Sequence, residues 1–266
     1  MNTEKIKIMS LFQSSNPTLS EKFFDKSLAM QGEVQGVMSV RGAMNKFGFM
    51  MLLLACSAIG TWSLFYGDNP NLAMTLTMVG VFGGLGVGLV TSFKPNWAQY
   101  TAPAYALLEG LFIGGLSAII NERFNEKMPG IVTTAVGLTL GVGIAMFLLY
   151  NFRIIRPNKL FRSIVTIGMG GIGIFYLIYF IASYFFGFNL PFMNWGNASM
   201  LGIGISIAVI VFAAMSLILD LERIEQGAEM GLSKNMEWYC AFGLLTTMIW
   251  LYVEILKLLS RFASRD

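Results

Sequence analysis

The chain has 266 residues, 55 % of them hydrophobic and only 12 % charged, with a mean hydropathy of +0.65 and a formal net charge of +3. Such a composition lies far from that of a soluble domain of this size. Because the chain contains no His, it also lacks the residue needed for Ser–His or Cys–His catalysis, His-ligated zinc or haem, and His proton relays.

The first 45 residues are mostly polar, and residues 1–45 are expected to form a cytoplasmic tail. Phe23, Phe24 and Leu28 give it some amphipathic character, which suits a membrane surface as well as a loose tail. The first apolar run has full span length rather than that of a short signal core, so no cleavable signal peptide is expected. A hydrocarbon core of about 30 Å needs about 20 helical residues to cross it. Runs of this kind fall at 46–67, 72–92, 101–121, 131–151, 164–186, 199–219 and 237–259. None shows the alternation of a barrel strand. The expected fold is therefore an all-α integral membrane protein of seven transmembrane helices, one domain over 46–259, with a short tail at 260–266.

Placing alternate loops on opposite sides puts 13 of the 18 Lys and Arg residues on the N-terminal side and 5 on the other. By the positive-inside rule the N-terminus is cytoplasmic and the C-terminus outside, although Lys257, Arg261 and Arg265 weigh against the second placement. Arg153, Arg156, Lys159 and Arg162 make the fourth loop basic, which reports topology and contact with anionic headgroups rather than nucleic acid.

Two local patterns carry little chemistry. Gly168, Gly170 and Gly173 match a dinucleotide fingerprint, but inside an apolar span rather than in a strand-to-helix turn. Gly80, Gly84 and Gly88, Gly110 and Gly114, and Gly137 and Gly141 have the four-residue spacing that lets membrane helices approach closely. Cys56 and Cys240 stand alone in the first and seventh spans and read as small buried apolar residues.

The informative residues are acids in apolar surroundings, where an ionised carboxylate is expensive. Glu109 lies eight residues into the third span; it is either a structural hydrogen-bonding group or part of a polar pathway. Asp220 closes the sixth span, where it could pair with Arg223 at i+3 or remain an interfacial group in water. Glu254, in the seventh span, could pair with Lys257 at i+3 or share a proton or cation with a second acid. Two such acids could form a gate, closed while a proton bridges them and open when both are charged. Oxygen ligands also suit Ca²⁺. Helical rise places Glu254 about 25 Å from Glu237, with Asp220 near the Glu237 end. Asp220 and Glu254 would meet only if the sixth helix runs well past Asp220 or the seventh is shifted; otherwise Glu109 or Glu237 is the easier partner.

The segments Ser216-Leu-Ile-Leu-Asp220-Leu-Glu-Arg-Ile-Glu, Met236-Glu-Trp-Tyr and Leu251-Tyr-Val-Glu254-Ile-Leu-Lys-Leu-Leu resemble the transmembrane Bax inhibitor motif family. Ala104-Tyr-Ala-Leu-Leu-Glu109-Gly-Leu-Phe-Ile-Gly and Met38-Ser-Val-Arg-Gly-Ala-Met-Asn-Lys look like its bacterial branch, the Bax inhibitor/YccA-like proteins. The resemblance spans roughly residues 38–262. It implies two three-helix layers around a central C-terminal helix, and a pH-sensitive Ca²⁺ leak gated by one acid in each of the last two helices. Asp220 and Glu254 match those acids and would be the ion or proton gate and the Ca²⁺ ligands, with Glu109 and Glu237 as possible additional acids. The seventh-helix acid is Glu where the family pattern has Asp, and the stretch between the two acids is longer.

Three functions follow as expectations. The first is a proton-gated cation leak, with Ca²⁺ and H⁺ as transported or sensed ions. The second is a non-conducting regulator that binds another membrane protein, such as a membrane protease. The third, an H⁺-coupled transporter, lacks a visible inverted repeat or broken-helix pair. No intramembrane protease motif is present, so the chain is not expected to be an enzyme. The resemblance places it in a bacterial plasma membrane.

Overall fold

The computed structural model describes residues 36–67 and 69–265. Phe23, Phe24 and Leu28, on which the amphipathic reading of the tail rests, lie outside the described residues. Seven long helices follow in chain order: α1 Val40–Tyr66, α2 Pro70–Phe93, α3 Ala98–Phe124, α4 Ile131–Asn151, α5 Lys159–Phe186, α6 Met200–Glu229 and α7 Met236–Ala263. All seven are long and apolar enough to cross a membrane, and the chain is an all-α, seven-helix membrane protein. Among the described residues the only β pairing is an isolated bridge, Val37 to Ser233.

Local chemistry marks the helix starts. Ser39, Asn158 and Ser199 accept hydrogen bonds from the backbone N–H of Gly42, Phe161 and Gly202, filling donors that a helix start leaves open. Pro70 occupies the first position of α2, where its missing N–H is harmless.

The helices exceed the apolar runs in three places that matter. α1 begins at Val40, so Arg41 and the start of the expected tail boundary are already helical. α6 continues through Asp220 to Glu229 instead of ending at 219. α7 reaches Ala263, which puts Arg261 inside the helix rather than in a terminal tail. Hydropathy falls at these points because charges enter, yet α6 and α7 continue because Glu222, Glu225 and Arg261 find protein partners.

Helices α1, α2 and α3 pack on one another as one layer, and α6 carries α4 and α5 as a second. Between them runs α7, the most buried helix, touching α1, α3, α4 and α6. This is the two-layer arrangement around a central C-terminal helix that the resemblance implies. In the first layer glycine sets the spacing. A Cβ at Gly110 would stand 2.3 Å from the Leu54 carbonyl oxygen, one at Gly114 2.3 Å from that of Ala58, and one at Gly80 2.6 Å from that of Leu108. No side chain fits there, so α1, α2 and α3 meet at backbone distance. Gly137 and Gly141 depart from this reading, since both face open space on α4. Gly170 and Gly173 do likewise on α5.

Candidate functional site: acids along the α6–α7 seam

α6 and α7 run antiparallel, and their register is fixed at two places. Asp220 of α6 meets Thr247 of α7, and the backbone oxygen of Gly202 accepts a hydrogen bond from Arg261. Along α7, Cys240, Thr247, Glu254 and Arg261 recur every seven residues. Two turns separate successive members, so all four lie on one stripe about 10 Å apart. That stripe is the polar spine of the seam.

Asp220 is only 7 % exposed. Its Oδ1 accepts from Arg223 Nη1 at 2.9 Å and its Oδ2 from Thr247 Oγ1 at 2.6 Å. The i+3 pairing foreseen with Arg223 is therefore present, together with a cross-helix hydrogen bond. Asp220 is not an interfacial end group, however. Nine further helical residues follow it before α6 ends, which lifts it to the level of Thr247.

Glu254 is 3 % exposed. Its Oε1 accepts from the Tyr176 hydroxyl of α5 at 2.8 Å, and its Oε2 stands 3.8 Å from Lys257 Nζ, with no hydrogen-bond partner. Lys257 in turn donates to the Tyr176 hydroxyl at 3.3 Å. One stripe position further, Arg261 is fully buried and donates to the carbonyl oxygens of Gly202 and Phe192, leaving its Nε unpartnered. A Cβ at residue 202 would come 2.7 Å from Arg261 Nη1, so glycine is what admits the guanidinium. Ser206 Oγ, on α6 one turn from Gly202, is likewise buried without a partner. Three orphaned polar atoms in one stretch of the seam mark a place suited to water or a passing ion.

Asp220 on α6 and Glu254 on α7 thus lie along one seam but do not meet. Two turns separate their levels, and each has its own basic neighbour. Among the described residues no three His, Cys, Asp or Glu side chains gather, so this arrangement offers no joint Ca²⁺ ligand set, which would need six to eight oxygens.

The other two acids have separate settings. Glu109 is half-buried on α3 and packed against Gly84 of α2, where a Cβ would come within 2.8 Å of Oε1. Glu237 sits at the start of α7 and clamps the start of α1. It accepts from the Ser39 N–H at 3.0 Å and the Ser39 hydroxyl at 3.1 Å, and forms an ion pair with Lys46. The α6–α7 turn adds a bond from the Met38 N–H to the Leu232 oxygen at 2.8 Å. Neither acid pairs with Asp220.

The basic fourth loop is also corrected in part. Arg153 and Tyr150 hold Glu225, and Arg162 holds Glu222, so two of its arginines join α4 and α5 to the end of α6 rather than serving headgroups alone. Of the residues that complete the seam, Thr247 and Arg261 could have been found from their seven-residue spacing to Glu254. Tyr176 carries no such signal, nor does Lys46 at the Glu237 clamp, because only tertiary packing brings them in.

A family model described as Bax inhibitor 1 like matches residues 16–264. No curated protein and no solved structure gives a match. With nearly the whole length matched and the expected seven-helix architecture present, the chain belongs to the Bax inhibitor 1 like family.

Proposed function

We propose that this protein is a cation leak, with Ca²⁺ as the ion, whose route follows the α6–α7 seam and is closed in the conformation described above. The reading rests on one observation: two buried acids line the α6–α7 seam, Asp220 on α6 opposite Thr247 and Glu254 on α7 two turns further along, each held by a basic residue of its own helix. A buried acid in a membrane is retained at an energetic cost that packing alone does not explain. With Arg223 and Lys257 in place the stations are neutralised by tethered cations. Release of either base exposes a negative site to a mobile cation. Gating is then serial rather than a direct acid–acid contact, and protonation at low pH removes the negative stations. The N-terminus is cytoplasmic, and the protein is not an enzyme.

The test is Ca²⁺ entry into dye-loaded proteoliposomes at about pH 6 and about pH 8, on either side of neutrality. Flux is expected at the higher pH, reduced by Asp220→Asn and by Glu254→Gln. Folded protein without flux at either pH refutes the leak. The second reading, a regulator bound to another membrane protein, draws support from α5. That helix packs mainly on α6 and turns Phe180, Tyr184, Phe185 and Phe186 outward. A stable partner recovered on detergent extraction, with no flux, would favour it.

A further inference from the structure

A cavity of about 610 Å³ lies between α1, α3, α4 and α7, away from the acid stripe. Its rim residues Ile59 and Val136 are 65 % and 42 % exposed at membrane depth, so the cavity opens sideways into hydrocarbon. Its floor is Tyr252 of α7, only 6 % exposed. From Met51 to Trp62 the α1 wall rises about 16 Å along the axis, which matches one leaflet of a core about 30 Å thick. The cavity ends where α1 and α3 end. There the Trp62 and Tyr66 rings meet at a tilt, and Asn121 Nδ2 donates to the Tyr66 hydroxyl at 2.9 Å, the amphipathic side chains typical of a membrane interface.

Deep in the cavity the hydroxyls are already used. Ser117 and Tyr252 bond each other at 2.7 Å, and Thr139 donates to the Ala135 oxygen at 2.7 Å. The inner wall therefore presents little free hydrogen-bonding capacity, and an apolar space of this kind does not hold water well. Its length, its sideways mouth and its interfacial end together select one occupant. We infer that the cavity is a binding site for one acyl chain of a phospholipid, taken lengthwise from the leaflet opposite the N-terminal end of α1, with its glycerol region at Trp62 and Asn121.

The full chain reconstituted with a phospholipid carrying a photoreactive diazirine on one acyl chain tests this. After irradiation, adducts are mapped by peptide mass spectrometry. Adducts on the floor residue Tyr252 are expected, because a lipid that stays on the outer surface cannot reach it. Val136→Trp, a substitution at the exposed rim, should reduce Tyr252 labelling several-fold while leaving the outward Phe82 and Leu107 unchanged. Tyr252 labelling at background, or labelling that Val136→Trp and a second plug, Ala55→Phe, both leave unchanged, would overturn the site. Neither result depends on whether the seam conducts ions.

Discussion

At the residue scale, charge in this protein is held by specific partners rather than by solvent. Glu237 shows how tightly. Its carboxylate has Lys46 on one oxygen and Ser39 on the other, and Gly42 leaves the room it needs, since a Cβ there would fall 2.1 Å from Oε1. Removing one partner of a buried pair strands the other charge, at a cost of about 3–5 kcal/mol. Lys46→Ala should therefore lower the melting temperature markedly in detergent, while the Lys46→Ala/Glu237→Gln double variant recovers much of the loss. Equal melting temperatures for the two variants would mean that the pair does not clamp α1 to α7. At the seam the same logic reads out as transport. Lys257→Met removes the cation that neutralises Glu254 and should raise Ca²⁺ flux, whereas Glu254→Gln should lower it. A fall with Lys257→Met would show that the ion pair supports the route instead of closing it.

At the element scale, helix length and glycine position decide which residues meet. The i+3 partners Arg223 and Lys257 were legible because they depend on one helix alone. The contacts of Asp220 with Thr247 and of Tyr176 with Glu254 were not, because they depend on where α6 stops and on how α5 lies against α7. Hydropathy ends α6 at 219, where Asp220 brings in charge, but Arg162 and Arg153 receive Glu222 and Glu225 and allow the helix to continue. That extension brings Asp220 to Thr247 but stops two turns short of Glu254. Glycine spacing was only half informative for a related reason. Four-residue repeats occur on α1-facing α3 and on α4 alike, yet only the former meets another backbone. Gly114→Leu should consequently separate α1 from α3, with overpacking of about 1–3 kcal/mol or more, while Gly141→Leu should be nearly neutral. Melting curves of the two variants check this contrast, and comparable losses would mean that Gly141 also packs against something.

At the scale of the whole molecule, the central placement of α7 ties the seam, the clamp and the cavity to one helix. Its N-terminal end is fixed by Glu237, its middle by Asp220 and Tyr252, and its far end by Arg261. Motion of α7 would disturb all of them together, which gives the closed seam a structural basis. The direction of a leak depends on which end of this helix faces the cytoplasm. The excess of Lys and Arg on the N-terminal side predicts that the α6–α7 turn and the α4–α5 loop are cytoplasmic, and that the α3–α4 loop lies outside. The pairing of Arg153 and Arg162 with Glu225 and Glu222 weakens the attraction of that loop for headgroups, but the rule counts Lys and Arg with little regard to acids. Single cysteines placed in a Cys56→Ala/Cys240→Ala background decide it. Glu126→Cys, in the α3–α4 loop, should react with a membrane-impermeant maleimide in intact cells. Pro157→Cys, before α5, should react only after permeabilisation. The reverse pattern would invert the molecule and place the acyl-chain cavity in the cytoplasmic leaflet.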